Sequence, residues 1–124
     1  MIPVKANPDD WAKDLYIAHK LSVDVDDEGN EIAIYSEPEP YKFNYRGVKS
    51  SAEIAEFGEK ASITQRMVIP ISYDGQFKEF DVAYLYGATP DGENNYGDNA
   101  NYELLPPRVG NSVIIIYMQK MIGK

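Results

Sequence analysis

Cysteine is absent from this 124-residue chain, and histidine occurs once, at His19. The first absence excludes disulfides, thiolate metal sites and cysteine nucleophiles together. The second leaves a histidine-based triad or transition-metal centre without the partners it needs. Long apolar runs are missing as well. The longest, Val113 to Met118, covers six residues, against the roughly 18 that a membrane-spanning helix requires, so no membrane partner is expected. Met1-Ile2-Pro3-Val4-Lys5, followed by Asn7-Pro8-Asp9-Asp10, does not read as a secretory signal. Positive charge is scarce too: 12 Lys and Arg against 20 Asp and Glu give a net charge of −8. The clustered cations with which proteins grip phosphate backbones are therefore not in view.

The acids are unevenly spread. Residues 1–40 hold ten acids and three bases, residues 41–80 five and six, and residues 81–124 five and three. An acidic front third keeps a protein soluble; it also offers a face that repels nucleic acid or receives a basic partner.

What the chain does contain is alternation. From Leu15 to Val25, the residues Leu15, Ile17, His19, Leu21, Val23 and Val25 share one phase, which predicts a half-buried strand. Asp26-Asp27-Glu28-Gly29-Asn30 is a turn, and Ile32 and Ile34 resume the alternation in a returning strand, completing a hairpin. Tyr41, Phe43 and Tyr45 share a face, as do Ile63, Gln65, Met67, Ile69 and Ile71, and then Val82, Tyr84 and Tyr86. The β-branched run from Val113 suits a strand covered on both sides. Asn7-Pro8-Asp9-Asp10 opens at most a turn or two of helix. Ser50-Ser51-Ala52-Glu53 reads as a capping box for one short helix near residues 51–57, with Gly58 to end it. The reading is mainly β: one domain over 1–124, a small antiparallel β-barrel of six or seven strands with one short helix. An N-terminal arm occupies 1–13 and a long polar loop 87–101.

Chemistry is hard to find in this pattern. Asp24 to Gly29 resembles the start of a calcium loop, but its twelfth position is Tyr35 where a bidentate glutamate is needed. Asp91 to Asn99 is rich in oxygen ligands without a recognised spacing, and the same residues simply favour turns. Asp24 and Asp26 sit at a hairpin tip, and Glu53 and Glu56 belong to a solvated helix face rather than a glycosidase pair. No phosphate-binding glycine loop or nucleophile elbow occurs. The expectation is no enzyme: no catalytic residue, cofactor or metal, and His19 packed on a strand face. Ten tyrosines could stack single-stranded bases, with Lys42, Arg46, Lys49, Lys60 and Arg66 as the only groove cations, or fill the rim of a small core and an interface. Within the long loop Tyr96 is the lone aromatic, a natural anchor for a partner or a second copy, with Asp91, Glu93 and Asp98 around it.

Several stretches carry a resemblance. They are Ala55-Glu56-Phe57-Gly58-Glu59-Lys60-Ala61 with the strand through Met67 to Ile71, Lys78 to Glu93, Asn99-Ala100-Asn101-Tyr102, and the closing Ile114-Ile115-Ile116-Tyr117. Over residues 30 to 122 the chain resembles the head-closure, or head–tail joining, neck proteins of tailed phages and prophages of Gram-positive bacteria. The resemblance implies a β-barrel that assembles with itself into a ring below the portal or adaptor protein and docks the tail protein. DNA would pass through without specific binding. It implies residence in the virion, after assembly in the host cytoplasm. The relatively basic middle third departs from an evenly acidic lumen. A tail terminator or other tail-neck protein is one alternative; a single-stranded nucleic-acid-binding barrel is another, of a different class.

Overall fold

Alternating apolar residues build the wall of a closed barrel in the computed structural model, which describes residues 12–90 and 99–121. In chain order the strands are β1 (Ala12–Ala18), β2 (Lys20–Val25), β3 (Glu31–Tyr35), β4 (Glu39–Gly47), β5 (Thr64–Pro70), β6 (Val82–Tyr84), β7 (Tyr102–Leu104), β8 (Arg108–Val109) and β9 (Val113–Lys120). Six of them close in the antiparallel order β1–β4–β5–β9–β7–β6, with β6 pairing back onto β1. Closure pairs the strand edges that would otherwise recruit another chain. β7 and β8 run one after the other along the same side of β9, interrupted at Pro106-Pro107, where proline cannot donate to the ladder. The expected mainly β barrel with one short helix is thus the observed fold.

Period two decides which side chains fill it. Leu15 and Ile17 of β1, Phe43 and Tyr45 of β4, Met67 and Ile69 of β5, and Ile114, Ile116 and Met118 of β9 all point inward and are buried. At one end Tyr41, Phe43, Tyr73 and Phe77 pack edge-to-face and stacked, with ring centroids 5.1–6.3 Å apart. Tyr84 is fully buried against Ala18, Val82 and Ala100 in a second, smaller cluster.

The capping box forms as its residues dictate. Ser50 caps α1 (Ser51–Phe57), accepting from the Glu53 amide at 3.1 Å. A tight 3₁₀ turn, Gly58–Ile63, then leads into β5. Glu53 also accepts from the Tyr117 hydroxyl at 2.6 Å and lies 3.5 Å from Arg66 Nε, while Phe57 packs on the Tyr117 ring at 4.8 Å. The helix therefore covers the outer side of β9 at Tyr117 and buries it, so β9 is covered on both sides from Ile116 to Met118. Its first half is not: Val113 is exposed and Ile115 half-buried.

Burial works to raise the Glu53 carboxyl, but hydrogen bonds from Tyr117 and Ser50 outweigh it and hold the group below its ordinary range. A depressed folded value means that Glu53 contributes stability fully above its unfolded pKa, about 4.3. That contribution is lost as pH falls through the lower folded value. Glu53→Gln should accordingly flatten the acid limb of a stability-against-pH curve below about pH 4.3, and denaturant melts at a series of pH values read this directly. An acid limb identical to the parent's would contradict the clamp.

Several sequence expectations shift at element ends. β1 begins at Ala12, inside the stretch assigned to an N-terminal arm, and the Asn7-Pro8 helix start lies outside the described residues. β5 stops at Pro70, so Ile71 opens a 3₁₀ turn instead of extending the strand. The stripe ending in Tyr86 stops at Tyr84, because Tyr86 adopts φ 58° and turns outward.

Candidate interaction surface

The largest departure from the expected pattern falls at His19. The run from Leu15 to Val25 keeps its phase across that residue, yet β1 ends at Ala18 and β2 starts at Lys20. Before the break Leu15 and Ile17 are buried; after it Leu21, Val23 and Val25 are 64%, 49% and 60% exposed. β2 pairs only with β3, in a separate two-stranded sheet that carries a register shift between Lys20 and Ser22. The predicted hairpin exists, but as an arm rather than as part of the wall.

A buried carboxylate makes the break. Asp81, 2% exposed, accepts from His19 Nδ1 at 2.8 Å, from the Lys20 amide at 3.0 Å and from the Lys78 amide at 3.0 Å. A strand whose next amide is taken by a side chain cannot continue its ladder, so the chain leaves the wall here. Ser36 closes the other side of the root: its hydroxyl accepts from the His19 amide at 2.9 Å, and its own amide donates to the His19 carbonyl at 2.8 Å. The His19 ring stacks on Phe77 at 5.8 Å, linking the root to the aromatic end of the core. His19, expected on a strand face, sits instead in the break between β1 and β2, with a carboxylate partner 62 positions away that spacing did not reveal.

The arm's tip is equally well determined. Asp26 accepts from the Glu28 and Asn30 amides at 2.9 and 2.8 Å, and Gly29 supplies the φ of 87° that the turn needs. Those bonds, the Asn30 amide first, hold the Asp26 carboxyl below its ordinary range. Between root and tip, register puts Val23 and Val25 on one face, opposite Ala33 and Glu31. Ile32 and Ile34 lie on the other, opposite Asp24 and Ser22. Both faces therefore carry apolar side chains, and Ile32 and Ile34 are also exposed. An isolated two-stranded hairpin is marginally stable in water, and burying a valine or isoleucine stabilises by about 1.5–3 kcal/mol. The arm has apolar surface that its own barrel does not cover.

The residues expected to form an interface in the long loop, Asp91, Glu93, Tyr96 and Asp98, all lie outside the described residues. The flanks of that loop are described, and they are fastened. Asn99 Nδ2 donates to the Thr89 carbonyl at 2.7 Å, and the Asn101 side chain bonds the Leu85 amide and carbonyl at 2.9 and 3.0 Å.

The tyrosines divide in favour of the core. Tyr45, Tyr84, Tyr102 and Tyr117 are buried, and among the described tyrosines only Tyr86 is exposed. Burial, reinforced by the Glu39 carboxylate that accepts its hydroxyl, pushes the Tyr41 phenol up to about 12, so it offers no base near neutral pH. Among the described residues no group of three or more His, Asp or Glu is arranged to hold a metal ion, and no helix is long and apolar enough to cross a membrane. No protein-family model, curated protein or solved structure matches this chain.

Proposed function

We propose that the protein is a structural virion component that joins phage head to tail, a head-closure subunit assembling with itself into a ring below the portal. The observation that carries this reading is the arm: a barrel whose strands are otherwise paired projects a hairpin that is apolar on both faces and rooted on a buried carboxylate. Such a projection fits a protein completed by neighbours. The sequence resemblance to neck proteins supplies the setting, with the portal or adaptor and a tail protein as partners, in the host cytoplasm during assembly and then in the virion. The acidic balance fits a channel through which DNA slides without specific binding. The loop carrying Tyr96 is proposed as a second contact.

Disrupting the gene in its phage should leave filled heads that lose DNA, together with separate tails. Normal tailed particles from the disrupted genome would reject the reading. A tail terminator would instead leave closed, DNA-retaining heads, which separates that alternative. For a single-stranded nucleic-acid binder the test is a gel shift at low salt, where electrostatic binding is strongest; the neck reading expects none.

A further inference from the structure

Where a sheet ends, its outermost strand presents N–H and C=O groups that a further strand can take up. The arm has two such edges, because β2 and β3 pair only with each other among the described residues. Register fixes which groups face outward. The Asp26 amide donates to the Asn30 carbonyl at 2.9 Å, so the hydrogen-bonded pairs that follow are Asp24 with Ile32 and Ser22 with Ile34. Val23, Val25, Glu31 and Ala33 occupy the alternate pairs and turn their backbone groups outward. The two edges are not equivalent. On β2 the Val25 amide is already taken, donating to Oδ1 of Asp24 at 2.8 Å. On β3 the backbone groups of Glu31 and Ala33 face no strand among the described residues.

We propose that the β3 edge is the docking site of an extended segment of a partner protein, apolar over three residues and basic after them. It adds antiparallel, as a third strand of the arm. Backbone pairing requires an extended chain, and the arm's side chains set what that chain carries. Ile32 and Ile34 are exposed on one face. On the other, Ala33 is small and stands beside the exposed Val23. Residues opposite these three positions of β3 are therefore apolar. Glu31 meets the fourth, and the tip with Asp26, Asp27 and Glu28 lies beyond it, so the segment continues in Lys or Arg. Residues 20–35 hold five acids against Lys20 alone, a balance of −4. Lys20 is at the root, its ammonium over the Phe80 ring at 5.1 Å. The same charge argues against a second arm as occupant, since it sets −4 against −4. The proposal rests on the neck reading only for its setting, in which the portal or adaptor and the tail protein are the sources of such a segment.

The probe is a fluorescent peptide of three valines followed by three lysines, added to the full-length protein. Anisotropy should show saturable binding that weakens as salt rises. A peptide ending in three glutamates instead should bind about tenfold more weakly or worse. On binding, amide exchange should slow at Glu31 and Ala33 and not at Val23. Ala33→Pro removes an outward N–H that the β2–β3 ladder does not use, so it should keep the parent's melt and lose the peptide. Should that variant not fold, the parent protein is given the peptide N-methylated at its second and fourth residues, those opposite Ala33 and Glu31, and should not bind it. The proposal is overturned by no saturable binding, by equal binding of the two charge forms, or by protection at Val23 in place of β3. Undiminished binding after either edge change also overturns it. So does self-association that Ala33→Pro abolishes, which assigns the edge to a second copy. These tests use no virion, so their failure leaves the neck reading standing. Peptide binding by a chain absent from purified particles upholds the edge and overturns that reading.

Discussion

Replacing Asp81 with alanine is expected to destabilise the fold by about 3 kcal/mol or more, since a hydrogen bond to a charged group is worth about 1.5–3 kcal/mol. Three donors depend on this carboxylate: His19 Nδ1 and the amides of Lys20 and Lys78. A loss of that size lowers Tm by roughly 10 °C in a domain of this length. The effect should also be local. Amides of the arm should exchange faster than those of β5 and β9, because the root that orients β2 and β3 is gone while the barrel ladder is intact. His19→Gln is the informative companion. Glutamine keeps an N–H donor for Asp81, so its cost should stay within about 1 kcal/mol, the net worth of an ordinary hydrogen bond. Thermal melts and amide exchange on the three proteins test the assignment. An Asp81→Ala melt superimposable on the parent's would show that the carboxylate does not anchor the arm.

The second large effect is expected from removing the arm. His19 and Ser36 touch through two hydrogen bonds and Lys20 pairs with Tyr35, so residues 21–34 can be replaced by a short Gly-Asn link that keeps the Lys20 amide on Asp81 and Tyr35 against the second cluster. Closure entropy changes by only about 0.6 kcal/mol per doubling of loop length, and the removed strands pair with nothing in the barrel. The shortened protein should fold with a melt close to the parent's and yet fail to restore infectious particles when supplied to a phage lacking the gene. Full complementation by a folded, armless protein would mean that the arm has no part in assembly. A collapsed melt would assign it to the fold instead.

Both predictions concern a feature that the sequence showed only in part. The inward phases of β1, β4 and β5 were legible because each strand has one face on a single core, and period two reports that directly; that of β9 was not, because Val113 to Met118 is apolar at every position. The capping box at Ser50 and Glu53 was legible because its partners are three residues apart. His19 hides the break for the opposite reasons. Leu21, Val23 and Val25 continue the phase of Leu15 and Ile17, so periodicity carries the reader across a point where the surroundings change from core to solvent. The residue responsible, Asp81, lies in the turn before β6 and meets His19 only in the folded chain. A signal was present in Pro38, which lies between the hairpin and β4, whereas Pro40 falls inside β4 and pairs with Tyr16.

The neck reading is tested most directly by composition of purified particles of a tailed phage whose genome carries this gene. Quantitative peptide mass spectrometry on filled, tailed virions should find this protein in fixed proportion to the portal protein, at the copy number of one ring, and should still find it after the tails are sheared away from closed heads. Its absence from such particles, or amounts that vary from preparation to preparation without relation to the portal, would contradict the account.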